Sequence, residues 1–309
     1  MNLLAGYLAL LEDRMRVSRF AKAIRRCVRP GDTVVDIGTG TGLLSFLAHQ
    51  AGAERIYAIE QGRILAAARH LSRAGPRIRW IRGHSKKISL PEKVDVVVTE
   101  TLGHFGVDEA ILDIAADANR RFLKKGGRFI PQSVELLVSA IGLPSLYRRW
   151  IAWTRPIGGV SHRPLRDLAT QSVWLLPTWP RRPLSPPARL ASFRLTGQKQ
   201  NPLPGEFSRR IRLDRAGRFH GVAGWFRARL APGVDLDSRS TSHWLPIFFP
   251  SDKPCAVRPG DLLHFSLRIE RDLEYSWRYR LRRGRKELHR SAHSTLLLHP
   301  SGLSLRRGR

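Results

Sequence analysis

Residues 34–42 read VVDIGTGTG. Val34-Val35-Asp36-Ile37 is apolar at positions that alternate between the two faces of a strand, the pattern of a strand buried inside a parallel sheet. Gly38, Gly40 and Gly42 then let the backbone turn tightly and pass close to a ligand. The apolar run LLSFLAHQAG at 43–52 predicts a helix, and Arg55-Ile56-Tyr57-Ala58-Ile59 predicts a second strand that ends at Glu60. An acid about 20 positions beyond such a loop is the residue type that grips ribose hydroxyls. The spacing is G-x-G-x-G, not G-x-G-x-x-G, and no helix N-terminus is reserved for a pyrophosphate. A nucleoside-bearing cofactor is therefore expected early in the chain, with an NAD-dependent enzyme as the competing reading.

Outward from this stretch the pattern alternates strand and helix. Helical periodicity covers 4–28, further strands are expected at 78–82 and 94–99, and helices at 62–73 and 108–123. Lys124-Lys125-Gly126-Gly127 reads as a helix stop, with an extended run from Phe129 to Ile141. Strand–helix alternation of this kind builds βαβ units around a parallel sheet. After residue 133 the pattern changes to short runs of Val, Phe, Trp, Leu and Arg between Pro and Gly turns, at 187–196, 205–213, 218–230, 244–249, 261–281 and 287–298. Evenly spaced short strands suggest an antiparallel barrel or sandwich. The expected architecture is α/β: an N-terminal helical segment (1–28), a doubly wound Rossmann-like domain (29–132) and an antiparallel β-barrel domain (133–309), with the active site between the two domains. The stretch 146–186 holds Trp150, Trp153, Trp174 and Trp179; it reads either as a dimerisation arm or as tryptophans packed on their own barrel.

A second constellation follows the strand at 94–98. Ligands of open α/β sheets sit beyond the carboxyl ends of the strands, which places Glu100 at the mouth of the cofactor cleft. Glu109 comes nine residues later, across a loop in which Gly103 and Gly106 allow the chain to fold back. Two carboxylates then face one pocket. Each also has a plain structural role open to it, since acids near a helix start favour the macrodipole.

The loop of Gly38, Gly40 and Gly42, with Asp36 before it and Glu60 after it, resembles the S-adenosyl-L-methionine loop of class I methyltransferases. Glu100 and Glu109 resemble the paired glutamates of the protein arginine methyltransferases, nine apart after the fourth strand. Thr241-Ser242-His243-Trp244 is similar to that family's Thr-His-Trp loop with one residue inserted, FFPSDKPCAVRPGDLL to the strands that follow it, and LLEDRMRVSRFAKAI at 10–24 to the helix before its first strand. The resemblance implies an S-adenosyl-L-methionine-dependent transfer of methyl to a protein or peptide with an exposed arginine. It implies that Glu100 and Glu109 orient the guanidinium, that His243 pairs with Asp13 to close the site or relay a proton, and that Arg16 binds the cofactor carboxylate. Glu60 would take the ribose hydroxyls, and Gly38, Gly40 and Gly42 the methionine portion. The chain departs from the family at Thr101, at His104 and at Lys86, where an acid for the adenine amino group is usual. Tyr7 stands where the family usually has a His.

Composition sets the outer bounds. The formal charge is +29, with 22 Lys+Arg against 13 Asp+Glu in 1–132 and 32 against 12 in 133–309. Such a surface attracts nucleic acid or acidic partners and repels Arg-rich peptides at long range. Arginine is also spread along the whole chain, as a coding bias would spread it. Only Cys27 and Cys255 are present, which gives no disulfide framework and no metal-ligand cluster. A reducing, cytoplasmic setting is expected, with no membrane span and a homodimer as the resemblance implies. Two further readings stay open: methylation of a small amine, a peptide natural product or RNA, and a non-catalytic nucleic-acid-binding or partner subunit.

Overall fold

The strand read at 34–37 is β1 (Thr33–Ile37), and it is buried along its whole length. In the computed structural model, which describes residues 3–71, 77–152, 155–270 and 274–295, β1 lies between two parallel neighbours. These are β2 (Arg55–Glu60) and β4 (Val94–Thr99). Beyond them pair β3 (Ile78–Arg82) and β5 (Leu123–Ile130), giving the order β3-β2-β1-β4-β5. Val34, Val35, Val96, Val97 and Val98 are fully buried, which is why these strands read as unbroken apolar runs. The order reverses between β1 and β4, and a crevice opens there at the strands' carboxyl ends.

Three helices connect these strands: α3 (Leu43–Gln50), α4 (Ile64–Leu71) and α5 (Ile111–Arg121). The end expected for α4 at 73 lies outside the described residues. The helical run expected at 4–28 is instead two helices, α1 (Leu3–Glu12) and α2 (Arg14–Cys27). Asp13 separates them because its carboxylate accepts from the Arg16 N–H at 2.9 Å and caps α2. Helix α5 starts later than expected because Gly103–Asp108 closes on itself: Gly106 N–H donates to Gly103 O and Phe105 N–H to Asp108 Oδ1, both at 2.9 Å. The KKGG run is not a helix stop. Leu123 pairs with Val94 and Arg128 with Val96, so residues 124–127 bulge out of β5, with Gly126 at φ +77°. The extended run expected from 129 to 141 is broken before β6 (Ser133–Ile141) at Pro131, which has no N–H to offer a ladder.

The chain divides into two compact units, and the division is not the single boundary expected at 132/133. The first unit is 1–135 together with 192–201 and 226–244; the second is 136–191, 202–225 and 245–309. The first unit therefore also contains the second half of β10 (Gly217–Ala231), paired with β11 (Val234–Asp237).

The second unit is mainly antiparallel. Its elements are α6 (Pro144–Ala152), α7 (Arg163–Thr170), β7 (Trp174–Leu175), β9 (Gly205–Arg212), β12 (Ile247–Val257), β13 (Leu262–Ile269), β14 (Tyr275–Arg283) and β15 (Lys286–Ser294), with most of β6, the first half of β10 and the first part of β8 (Ala188–Arg194). One sheet runs β7-β12-β10-β6-β8 and the other β15-β14-β13-β9. This is the barrel-like half expected, except that the sequence reading missed α6 and α7. Three tryptophans of 146–186 pack on their own unit. Trp150 is 2% exposed in a core with Ile141, Ala169, Leu176, Ala223 and Phe248, and Trp174 and Trp179 close over it. Trp153 lies outside the described residues. Among the described residues, the exposed large apolar side chains of this stretch are instead Ile157, Val160, Leu165, Leu168 and Leu175.

Candidate active site

Gly38, Gly40 and Gly42 have φ of +74°, +55° and +85°, a left-handed path that side chains with a Cβ rarely follow. The loop is braced from beneath by Asp36. This carboxylate is fully buried and accepts from the Thr39 and Ser45 hydroxyls at 2.7 Å each, while its other oxygen has no partner among the described residues. Burial pushes the Asp36 carboxyl up to about 6. Asp36 does not line the cavity above the loop, and neither does Gly42, which is covered by Trp80 and Phe46. The expectation that these two face a cofactor is corrected accordingly: one locks the loop and the other starts α3.

The cavity has a volume of about 560 Å³, within the range of small-molecule sites. All its lining residues belong to the first unit. Tyr7, Leu10 and Leu11 line it from one face of α1, and Gly38 and Gly40 from the loop. A Cβ on Gly40 would come within 3.2 Å of the Tyr7 ring. Glu60, His84, Ser85 and Lys86 line it too, as do Arg16, Glu100, Glu109 and His243. Glu60 accepts from the N–H groups of Gly40 (3.1 Å) and Gly62 (2.6 Å). Lys86 lies 3.7 Å from Asp113.

Glu100 follows β4 directly and is held by Arg16. The Arg16 Nε donates to Glu100 Oε2 at 3.1 Å, Nη2 donates to the same oxygen, and Nη1 donates to Leu10 O at 3.0 Å. Both side chains are 8% exposed. The Phe20 and Trp244 rings flank the guanidinium at 5.9 and 6.0 Å. Burial raises the Glu100 carboxyl, and the Arg16 charge opposes that rise. Glu109 lines the same cavity as a solvent-exposed residue, and the Arg16 charge acts on it too, but as the weakest influence. Burial, then the like charges of Glu100 and Asp108, push its carboxyl up to about 7. Next to it Ala110 has φ +60°, an unusual conformation for a residue with a side chain.

Asp13 does not meet the His243 ring as expected. Its Oδ2 instead accepts the backbone N–H groups of Ser242 and His243, each at 3.0 Å, while Oδ1 caps α2. The neighbouring Trp244 Nε1 donates to Leu102 O at 2.6 Å. The Thr241–Trp244 segment is thus pinned to α2 and to the loop that carries the two glutamates. The His243 imidazole stacks 6.3 Å from His104. Burial, with Arg16 and His104 nearby, pushes its pKa down to about 4, so it is neutral near pH 7.

The sequence reading missed the Arg16–Glu100 pair and the Thr39 and Ser45 locks on Asp36, while the resemblance puts Tyr7 near the cofactor, and Tyr7 lines the cavity. The 7, 10, 11 spacing was the available signal for Tyr7, because such positions share a helix face.

The fold and this site have counterparts among known proteins. The methyltransferase domain family matches residues 34–127. The chain is 30% identical over 282 residues to arginine N(omega)-methyltransferase of Streptomyces achromogenes subsp. streptozoticus, covering 86% of this chain and 76% of that protein. It is 30% identical over 258 residues to protein arginine N-methyltransferase 6 of Xenopus laevis, covering 76% of this chain and 74% of that protein. It spans only 40% of a probable protein arginine N-methyltransferase 6 of Arabidopsis thaliana and 52% of a probable rice histone-arginine methyltransferase. Among solved structures, the Trypanosoma brucei PRMT1 enzyme–prozyme heterotetrameric complex with AdoHcy superposes with a TM-score of 0.85 at 20% identity. That match covers 93% of this chain and 97% of the other.

Proposed function

Because the chain belongs to the protein arginine N-methyltransferase family, we propose that it transfers methyl from S-adenosyl-L-methionine to a guanidinium nitrogen of arginine in a protein or peptide. The observation that carries this reading is that Glu100 and Glu109 line the same cavity as Gly38 and Gly40 of the glycine loop. The cavity suits the cofactor: Gly38 and Gly40 line it without side chains, and Glu60 offers a carboxylate at the end of β2. In this reading Glu60 holds the ribose hydroxyls, Lys86 and Ser85 lie toward the base, and Arg16 holds the cofactor carboxylate. Bound there, S-adenosyl-L-methionine supplies a sulfonium-activated methyl group, which passes to nitrogen as sulfur keeps the C–S electron pair.

The protein's own task is positioning and charge. An acceptor guanidinium is a cation, with a pKa above about 12, and it must sit beside a second cation. Two carboxylates offset that repulsion, and the planar guanidinium suits paired carboxylate contacts. Arg16 opposes the rise that burial imposes on the Glu100 carboxyl. Glu109, at about 7, is a better proton acceptor than an ordinary carboxylate and suits the proton that nitrogen must lose. Removing one such preorganised contact costs about 10²–10³ in rate. The test is mass spectrometry of proteins from a cell extract incubated with the chain and isotope-labelled cofactor. Label on arginine side chains, reduced at least a hundredfold by Glu100→Gln, supports the reading. Label only on small amines or RNA contradicts it.

We also infer a homodimer working in the cytoplasm. Free Cys27 and Cys255 suit a reducing compartment. No helix among the described residues is long and apolar enough to cross a membrane. The exposed Ile157, Val160, Leu165 and Leu168 suit a self-association surface.

A further inference from the structure

The sheet β15-β14-β13-β9 has two unlike faces. Its inner positions are Ile211, Leu263, Phe265, Leu267, Trp277, Tyr279 and Leu281, all buried. The alternate positions face outward, and the strand register arranges them in rows. Arg210, His264, Arg280 and Arg290 are cross-strand neighbours in one row, and Arg212, Leu262, Arg282 and Glu287 in the next. Arg278 and Arg268 continue the face on the other side of the first row. With strands about 4.8 Å apart, each row spans about 14 Å.

Acids answer only part of this charge. Glu287 accepts from Arg280 at 2.8 Å and from Arg290 at 3.0 Å, Glu206 pairs with Arg278, and Glu270 pairs with Arg268 at 2.5 Å. Among the described residues Arg210, Arg212 and Arg282 have no acidic partner. Like charges side by side on a sheet are unfavourable, and no fold requirement asks for arginine at these outward positions.

We propose that this outward face is a sequence-independent binding surface for the phosphate backbone of nucleic acid. The composition of the face selects this occupant. Interfaces between proteins keep aromatic or apolar anchors at their centre; here the centre is arginine, histidine and serine, and Leu262 sits in the outer row. An anionic membrane surface would meet the same charge, but firm membrane binding adds inserted apolar side chains, and Phe265, Tyr275, Trp277 and Tyr279 of this sheet are buried. Stacking on bases needs outward aromatic rings, which the arginine-bearing strands do not present. What remains is a flat, cationic, polar face, the character of protein–nucleic acid interfaces, reading charge and not sequence.

The test is fluorescence anisotropy with labelled RNA and DNA oligonucleotides of mixed sequence over a series of salt concentrations. The expected result is affinity that falls linearly on a log–log plot against salt. Replacing Arg210, Arg212 and Arg282 together by Ser is expected to weaken binding at least tenfold. It should also flatten the slope by about 2–3, the loss of about three phosphate contacts. The triple Lys replacement should bind within about threefold of the parent. A control that changes Lys22, Arg25 and Lys125 to Ser removes the same charge elsewhere and should leave affinity nearly unchanged. Methyl transfer to a short arginine peptide and the thermal midpoint report that the Ser variant is folded. The proposal is overturned if both triple-Ser variants weaken binding equally. It is also overturned if neither nucleic acid binds, or if an acidic peptide or an anionic vesicle binds this face and oligonucleotides do not compete.

Discussion

Glu109 carries the charge most sensitive to ordinary changes of pH. Its carboxyl, raised to about 7 by burial and by Glu100 and Asp108, is half protonated at neutrality, whereas Glu100 is paired with Arg16. If the acceptor guanidinium needs both carboxylates, kcat/KM for an arginine peptide should climb with pH through about 7 and level off above it. Glu109→Gln should lower kcat/KM about a hundredfold and remove the climb. Stability should move the opposite way. The folded form holds a proton on Glu109 that the unfolded chain releases near the ordinary 4.5, so this group's contribution to stability falls as pH rises from about 4.5 through 7. Glu109→Gln should therefore raise the thermal midpoint above pH 7 and leave it nearly unchanged below pH 4.5. A wild-type midpoint that falls on acidification from pH 7 to 5, with no difference in the variant, would contradict this assignment.

At the scale of elements, the site depends on connections that no single motif announces. Asp13 ends α1, caps α2 and holds the main chain of Ser242 and His243. Asp13→Ala removes the cap and two charge-assisted hydrogen bonds, a loss of about 3–5 kcal/mol of stability, measurable by denaturant titration. Asp13→Asn keeps one acceptor oxygen and should lose less than half as much. In the glutamate loop, a Cβ on Gly103 would lie 2.4 Å from the Asp108 carboxyl carbon. Gly103→Ala should thus displace the turn before Glu109 and lower kcat more than it raises the KM for the cofactor. The sequence revealed elements with strong local signals: the buried strands, the glycine loop and the carboxylates at strand ends. It did not reveal the break at Asp13, because period-3.6 patterning continues through it. It also hid the bulge at 124–127, because a helix stop and a bulge use the same glycines. The tryptophans of 146–186 were ambiguous for a similar reason: burial on their own unit and exposure on an arm call for the same residue type. The Asp13 contact to residues 242 and 243 joins positions more than two hundred residues apart, a pairing set by tertiary structure alone.

Charge is the property of the whole molecule that most constrains its acceptors. A net +29 disfavours long-range approach by Arg-rich peptides, while the cavity wall is locally acidic at Glu100 and Glu109. Acceptors with an isolated arginine among acidic residues should have higher kcat/KM than Arg-rich ones at low salt, and the gap should narrow as salt rises. In solution, light scattering should give twice the 35.0 kDa chain mass, and Leu165→Ser with Leu168→Ser should shift it toward one chain. The central claim is that two carboxylates hold one guanidinium beside the glycine-loop cradle. It is tested most directly by a crystal structure of the chain with S-adenosylhomocysteine and an arginine peptide. The account expects the guanidinium within about 3 Å of carboxylate oxygens of both Glu100 and Glu109, with one terminal nitrogen turned toward the cofactor sulfur. A peptide arginine bound elsewhere, or a Glu109 side chain turned out of the cavity in that complex, would contradict it.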